Sequence, residues 1–317
     1  MTFAAACLFA VNGTVSKLIL TGGALSSLRL VEIRCAAAAV VYLAAWALLR
    51  GRGRSPLRVT WRELRFLAVY AVAGLAMVQW LYFVAIARMP VSISLLIEFT
   101  APLLVALYVR FVRREAVRSR IWVALACTLA GLALVARVWD GLTLDTVGLV
   151  AAMLAAVSLA SYYLLGERGL TSRDAIGLAV WSFGLAAAFW ALLLPWWSFP
   201  FGAMAGDVDL AAASAGRFEA VVPVWALVAW VVLLGTVLPF ALILGGLSRV
   251  GATRSGLIGT AEPALAGVVA WVVLGEHLAA VQLVGGAIVL SGIVLAETAR
   301  RPRPRVAGVV PEGVAPV

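Results

Sequence analysis

Residues 97–131 read IEFTAPLLVALYVRFVRREAVRSRIWVALACTLAG, and residues 258–292 read IGTAEPALAGVVAWVVLGEHLAAVQLVGGAIVLSG. The two stretches belong to a longer correspondence without gaps, in which residues 66–136 align with residues 227–297 at a constant offset of 161 (263 − 102). Identical residues recur in register at Gly74/Gly235, Arg88/Arg249, Ser94/Ser255, Pro102/Pro263, Glu115/Glu276 and Gly131/Gly292. The chain therefore carries two copies of one unit.

The composition places both copies in a lipid bilayer. The chain is 64% hydrophobic and only 13% charged, whereas soluble domains carry about 25% charged residues. Apolar stretches close to the ~20 residues that cross a bilayer lie at 3–20, 25–49, 66–87, 91–112, 120–137, 147–165, 175–195, 222–247, 252–274 and 280–297. Ten spans are therefore predicted, five in each copy.

An odd number of spans per copy requires the second copy to enter the membrane upside down. We therefore predict an all-α integral membrane protein with ten transmembrane helices in two inverted five-helix repeats, residues 1–138 and 139–299. Residues 300–317 are rich in proline and basic at their start, and we expect a disordered cytoplasmic tail. Inverted repeats are the architecture of secondary transporters, whose substrate site lies between the repeats near the bilayer midplane.

The basic residues set the orientation of the spans. The net charge is +10, but 19 of the 25 lysines and arginines fall in alternate loops and the tail, and four fall in the loops between them. Positive charge collects on the cytoplasmic side, so both termini are predicted inside. The net charge is therefore explained by basic residues on the cytoplasmic face of the membrane. Nucleic acid is not an expected partner.

Five ionisable side chains lie within predicted spans: Lys17, Glu32, Arg34, Glu98 and Glu262. Each costs roughly 2.5–3.5 kcal/mol or more in lipid, so each must face the bundle interior or a wet cavity. Lys17 is near a helix end, where its amine can reach the interface or attract anions. Glu32 and Arg34 point differently on one helix, so we expect each to have its partner on another helix.

Glu98 and Glu262 are the strongest candidates for substrate binding. Each lies near the centre of a span on the same helical face as a serine, Ser94 and Ser255, and each is followed by a proline. Pseudo-two-fold symmetry brings the two faces to a shared cavity, where a carboxylate would bind a cationic group of the substrate or carry a coupling proton. The alternative is a protonated or hydrogen-bonded carboxyl that only links helices.

Other polar and aromatic side chains extend this predicted cavity. Asn12 and Ser16 share a face of the first span, Ser158 and Tyr162 do so in the sixth, and Trp80 is the best aromatic candidate for a wall. The alternative for each is ordinary helix packing. Two pairs recur at opposite membrane faces and are predicted to form gates or structural ion pairs: Arg88 with Arg249, and Glu115 with Glu276.

Several other classes of function lack the residues they need. Cys7, Cys35 and Cys127 have neither metal-ligand nor disulfide spacing. One histidine, His277, cannot supply a catalytic set, so no catalytic or metal site is predicted. No Gly-rich, lysine-containing nucleotide motif is present. No cofactor is expected beyond coupling protons.

The chain resembles the EamA family of the drug/metabolite transporter superfamily. The resemblance rests on VSISLLIEFTAPLLVAL (residues 91–107) with Glu115 and Gly131, and on IGTAEPALAGVVAWVVLGEHL (residues 258–278) followed by GAIVLSGIVLAE. VNGTVSKLIL in the first span, with Lys17, and Arg34 in the second also resemble the family pattern. RREAVR at residues 113–118 departs from the family's Gly-Glu ending.

This resemblance implies ten helices in two inverted halves, around a cavity lined chiefly by the first, third, fourth, sixth, eighth and ninth spans. It also implies export of a small metabolite, such as an amino acid, its derivative or a drug-like solute, across the bacterial inner membrane. We expect alternating access coupled to protons. A facilitative uniporter or exchanger, or a channel-like permease, is the alternative, and the solute and the oligomeric state stay open.

Overall fold

The computed structural model describes residues 2–49, 57–112, 114, 119–136, 144–214, 216, 218–243 and 261–299. Helices account for most of this part of the chain. They are α1 (Thr2–Thr21), α2 (Ser27–Leu49), α3 (Trp61–Ile86), α4 (Val91–Glu98), α5 (Ala101–Phe111), α6 (Arg120–Ala136), α7 (Thr146–Gly169), α8 (Ala175–Leu193), α9 (Phe201–Met204), α10 (Leu210–Ala213), α11 (Val224–Ile243), α12 (Ala261–Leu274) and α13 (Ala280–Ala299).

Six of these helices are long and apolar enough to cross a bilayer: α1, α2, α3, α7, α8 and α11. Shorter apolar helices lie at Val91–Val105, Arg120–Val135, Ala261–Leu274 and Ala280–Leu295. In the described part of the chain, each apolar stretch predicted from the sequence falls largely on these helices. The stretches at 120–137, 222–247 and 252–274 are described only to Ala136, only to Ile243 and only from Ala261, respectively. The chain is therefore a helical, multi-pass membrane protein.

One segment departs from the predicted all-helical fold. After α8, strands β1 (Asp207–Asp209) and β2 (Val221–Pro223) pair antiparallel, with Val208 opposite Val222. Arg29 anchors this segment to α2 by donating to the Ser198 hydroxyl at 2.7 Å, with its guanidinium over the Phe199 ring. The two strands lie in the long connection between α8 and α11. Their pairing satisfies backbone N–H and C=O groups that lie outside the helices.

The predicted partner of Glu32 is wrong. Its Oε2 accepts a hydrogen bond of 2.7 Å from Nη1 of Arg29, one turn earlier on the same helix, and no side chain of another helix is its partner in the described structure. Residues three apart lie on one helical face, so this pairing needs no other helix. Glu32 is fully buried, and the ion pair neutralises a charge that would be costly in lipid.

The helices pack in a small number of extensive pairs. The broadest contact joins α6 to α13, followed by α3 with α7, α2 with α8, and α1 with α12. A large cluster of buried apolar side chains spans α1, α2, α3, α8 and α11, with Phe83, Phe183 and Ile19 among its fully buried members. The polar side chains described below lie within this bundle.

Small residues set the distance between α6 and α13. A Cβ placed on Gly131 would lie 2.7 Å from the carbonyl oxygen of Gly285 and 2.8 Å from the amide nitrogen of Val289. Both atoms belong to the backbone of α13, so neither can move without moving the helix. Close backbone contact of this kind is how helices associate in lipid, where the hydrophobic effect is absent.

We therefore expect Gly131→Ala to destabilise the protein by about 1–3 kcal/mol, the usual cost of overpacking. Gly184→Ala is the matched control, because a Cβ on Gly184 in α8 meets nothing within 4 Å. The control should leave the unfolding midpoint unchanged or raise it, since alanine favours the helix. Denaturant unfolding in detergent measures both, and equal midpoints for the two variants would contradict this packing.

Two of the long helices contain a π-helical segment. Tyr70–Ala76 interrupts α3 and Leu233–Val237 interrupts α11. The wider turn shifts the backbone hydrogen-bond pattern and is frequent at functional sites. In α11 it contains Gly235, where an added Cβ would overlap the side-chain oxygen of Asn12. Glycine at this position therefore lets α1 approach α11 closely.

Candidate functional site

A break in the fourth span places Glu98 at a helix end inside the bundle. Helix α4 ends at Glu98 and α5 begins at Ala101, with Thr100 donating to the carbonyl of Ile97 at 2.7 Å between them. Pro102 has no amide hydrogen and cannot continue the α4 ladder. Glu98 is 8% exposed, and its Oε2 atom has no hydrogen-bond partner.

Arg34 is the cation of the same site. It is 4% exposed, and its Nε donates to Thr236 Oγ1 at 2.6 Å while Nη2 donates to the carbonyl of Gly235 at 3.1 Å. The prediction of a partner on another helix is confirmed for this residue. The charge of Arg34 interacts electrostatically with both Glu98 and Glu262, and the two carboxylates interact with each other.

Glu262, the third member of this cluster, lies in the first turn of α12 and is half-buried. The phenol of Tyr82, from α3, also lies within electrostatic range of both carboxylates and of Arg34. The structure therefore brings together one guanidinium and the two carboxylates predicted from the sequence. The sequence identifies Arg34 as a charge within a span but does not predict that it lies with these two carboxylates.

The predicted polar face of α1 is buried within the bundle, with Asn12 against Gly235 of α11. Asn12 is 3% exposed and Ser16 is fully buried, and neither Asn12 Oδ1 nor Ser16 Oγ has a hydrogen-bond partner. Buried polar atoms are normally paired, so unpaired atoms call for an explanation such as a bound ligand or water. Buried oxygens without a partner thus occur on Asn12, Thr14 and Ser16 in α1 and on Glu98 in α4, and others lie on Glu32, Gln79 and Thr128.

The remaining predicted cavity residues are more fully used by packing. Ser94 is buried but donates within its own helix to the carbonyl of Pro90 at 3.0 Å. Tyr162 stacks on Tyr70 with ring centroids 5.3 Å apart. Trp80 lies edge-on to Trp190 at 6.0 Å, but its buried Nε1 has no hydrogen-bond partner. Ser158 is buried on α7. A substrate role for these four residues stays a prediction.

An ion pair joins α1 to the segment after α12 and to the start of α4. Lys17 donates to Glu276 Oε1 at 2.7 Å and to the carbonyl of Met89 at 2.8 Å, and Glu276 Oε2 accepts from the amide of Val91 at 3.0 Å. Glu276 thus caps the first turn of α4, where a negative charge also meets the positive end of the helix dipole. We call Lys17, Glu276 and the Met89–Val91 backbone the latch.

The other predicted gating residues are distributed differently. Arg88 is exposed and lies 3.7 Å from Asp145, so this pair is a weak surface contact. Arg249, Glu115 and Ser255 lie outside the described residues. The sequence predicts gates at both membrane faces. Of the predicted gating residues that the structure describes, only Glu276 forms an ion pair with a side chain inside another span, at one end of the bundle.

In the described part of the chain, no three histidine, cysteine, aspartate or glutamate side chains come together in a cluster that could hold a metal ion. The central cluster contains two carboxylates and a guanidinium, which is suited to ion pairing with an organic solute or to holding a proton.

By sequence, this chain resembles a transporter family and individual transporters. The EamA-like transporter family model matches residues 1–137 and again residues 146–298. The threonine/homoserine exporter RhtA of Escherichia coli (strain K12) is 30% identical over 242 residues, 76% of this chain and 74% of that protein. An uncharacterized transporter of Archaeoglobus fulgidus is 28% identical over 227 residues, 70% of this chain and 74% of its own length.

A solved crystal structure has the same fold. It aligns with a TM-score of 0.56 at 20% sequence identity and covers 92% of this chain and 96% of its own. At this identity the likeness concerns the fold alone. The family model, in contrast, matches nearly the whole chain and includes both stretches quoted at the outset. The chain therefore belongs to the EamA-like transporter family.

Proposed function

We propose that this protein is a secondary active exporter that moves a small metabolite across the bacterial inner membrane by alternating access, with both termini in the cytoplasm. The observation that carries the proposal is the cluster of Arg34 and Glu98, which are buried, with Glu262, which is half-buried. Charges inside a membrane bundle are costly and mark ion or substrate pathways. Secondary transporters place such a site between two repeats, near the midplane.

The helix contacts support two inverted five-helix repeats. Under the 161-residue offset α3 corresponds to α11 and α4 to the span that contains α12, while α1 and α7 are each the first span of a repeat. The contact of α3 with α7 then has its counterpart in α11 with α1, and α4 with α7 in α12 with α1. The pairs α2 with α8 and α6 with α13 each relate a helix to its own counterpart.

The π-helical segments support the same symmetry. Shifted by 161, the segment Tyr70–Ala76 falls on 231–237, which contains the second segment Leu233–Val237. Each contains a glycine that admits the first helix of the opposite repeat: Gly74 contacts Tyr162 of α7, and Gly235 contacts Asn12 of α1. The same irregularity at the same place in both copies is expected of duplicated halves with a shared mechanism.

The relatives indicate which solutes to test first. RhtA is by its name an exporter of threonine and homoserine. Small amino acids and their derivatives are therefore the first candidates for this chain. The second carboxylate of the cluster suggests the coupling ion, because in the absence of a cationic substrate a proton would relieve the repulsion between Glu98 and Glu262.

Proteoliposome flux tests this proposal. Purified protein should show saturable threonine or homoserine uptake that is accelerated by unlabelled solute on the opposite side, and an imposed pH gradient should drive net movement. Counterflow without an effect of the pH gradient would replace proton coupling by uniport or exchange. Flux that neither saturates nor shows counterflow would indicate a channel, and no flux of any small amino acid would overturn the proposed cargo.

A further inference from the structure

We propose that Arg34 binds the carboxylate of a zwitterionic amino acid while Glu98 and Glu262 face its ammonium group, so that the site selects solutes carrying both charges. This inference rests on the proposed function. It assigns substrate binding to Arg34, whose contacts with other helices would by themselves indicate only a structural role. It follows from the unused donors of Arg34, the way its side chain is held, and the balance of charge in the cluster.

Arg34 has N–H groups that no described acceptor uses. A guanidinium carries five N–H groups, and the described contacts use one on Nε, to Thr236, and one on Nη2, to the Gly235 carbonyl. No described acceptor bonds to Nη1. Two terminal nitrogens in one plane match the two oxygens of a carboxylate, which arginine binds in a bidentate manner. The unused edge is therefore suited to a carboxylate ligand.

The contacts that Arg34 does make fix its orientation. Thr236, in the π-helical segment of α11, accepts from Nε and itself donates to the carbonyl of Val231, in the turn before that segment, at 2.8 Å. The guanidinium also lies 5.4 Å from the centroid of the Phe83 ring, in cation–π contact. A side chain held on two sides and over its face loses little further freedom on binding, so the site is preorganised.

Charge balance explains why the second group should be an ammonium. With Glu98 and Glu262 ionised, the cluster holds two negative charges against one positive charge. A substrate carboxylate bound to Arg34 removes that compensation from the glutamates, and a substrate ammonium restores it. A solute without the ammonium would leave three negative charges against one positive charge, and unpaired buried charge is strongly destabilising. A solute without the carboxylate would instead lose the bidentate hydrogen bonds to Arg34.

Three probes test this on the unmodified protein: threonine, its decarboxylated analogue 1-aminopropan-2-ol, and its deaminated analogue 3-hydroxybutanoate. Competition against radiolabelled threonine counterflow should be weaker by at least about tenfold for each analogue, because each lacks one charge-assisted contact. Equal competition by 1-aminopropan-2-ol would overturn the role of Arg34 while leaving export intact. Absence of threonine counterflow would overturn the proposed cargo and this inference together.

Substitution by lysine separates binding from packing. Arg34→Lys keeps the positive charge but loses the planar fork, so threonine competition should fall about tenfold or more while 1-aminopropan-2-ol changes little. Arg173→Lys is the matched control, since Arg173 is equally buried but binds Glu63 at 2.6 Å near the opposite end of α3. An equal loss for both probes in Arg34→Lys would show a structural role only and overturn the proposal.

Discussion

Export driven by a pH gradient is expected to fall by about 10- to 100-fold when Glu262 or Glu98 is replaced by glutamine. Glutamine keeps the shape and hydrogen-bonding capacity of the side chain but can neither carry the coupling proton nor attract a cation. The size of the loss corresponds to one charge-assisted interaction in a buried site. Glu98, whose Oε2 has no partner in the bundle, should lose function without loss of folding.

The design of this experiment separates binding from coupling. Each variant is measured for solute counterflow, which needs binding but no proton, and for net transport under an imposed pH gradient. Loss of net transport alone assigns coupling, and loss of both assigns binding. Glu219→Gln, an exposed position in the connection between α8 and α11, should behave as the unmodified protein. Unchanged transport by both cluster variants at every pH would refute the assignment.

Removing the latch is expected to open the end of the bundle that it closes. Glu276→Ala loses the ion pair with Lys17 and the acceptor for the Val91 amide. Because both bonds are part-buried and join different spans, their loss should shift the population toward the state open at that end. In a variant without native cysteines, a Ser16→Cys reporter should react about tenfold faster with an impermeant thiol reagent.

Glu276→Gln is the graded control for this prediction. Its amide oxygen can still accept from Val91, so the labelling rate should fall between those of Glu276→Ala and of the reporter alone. Ser16 is fully buried, one residue before Lys17, and its slow labelling with the latch intact provides the baseline. An unchanged labelling rate in Glu276→Ala would mean that the ion pair is a static surface contact.

The sequence was sufficient for features that depend on periodicity and composition. Apolar length predicts the long helices that the structure describes, and the 161-residue repeat predicts that Glu98 and Glu262 lie on equivalent faces. What it could not supply is contact between distant segments. Lys17 and Glu276 are separated by 259 residues, and Arg34 and Thr236 by 202. Neither pairing has a local signal, because each arises only when the helices pack.

Partners within the same helix account for the predictions that differ from the structure. The sequence predicts a partner for Glu32 on another helix, but Arg29, one turn earlier on the same helix, forms the ion pair with it. Ser94 shares a face with Glu98 as predicted, yet its hydroxyl bonds the carbonyl of Pro90. Serine in a helix often bonds back to the preceding turn. Arg34 could have been recognised by its charge in a central span, which marks function more often than packing.

The inverted arrangement of the two repeats is the central claim, and sided labelling tests it most directly. Arg88 and Arg249 occupy equivalent positions in the two copies. Single cysteines at these positions, in a variant without native cysteines, are exposed to an impermeant thiol reagent in intact cells and in inverted vesicles. The account predicts that residue 88 reacts from outside and residue 249 from the cytoplasm. Reaction of both from the same side would contradict it.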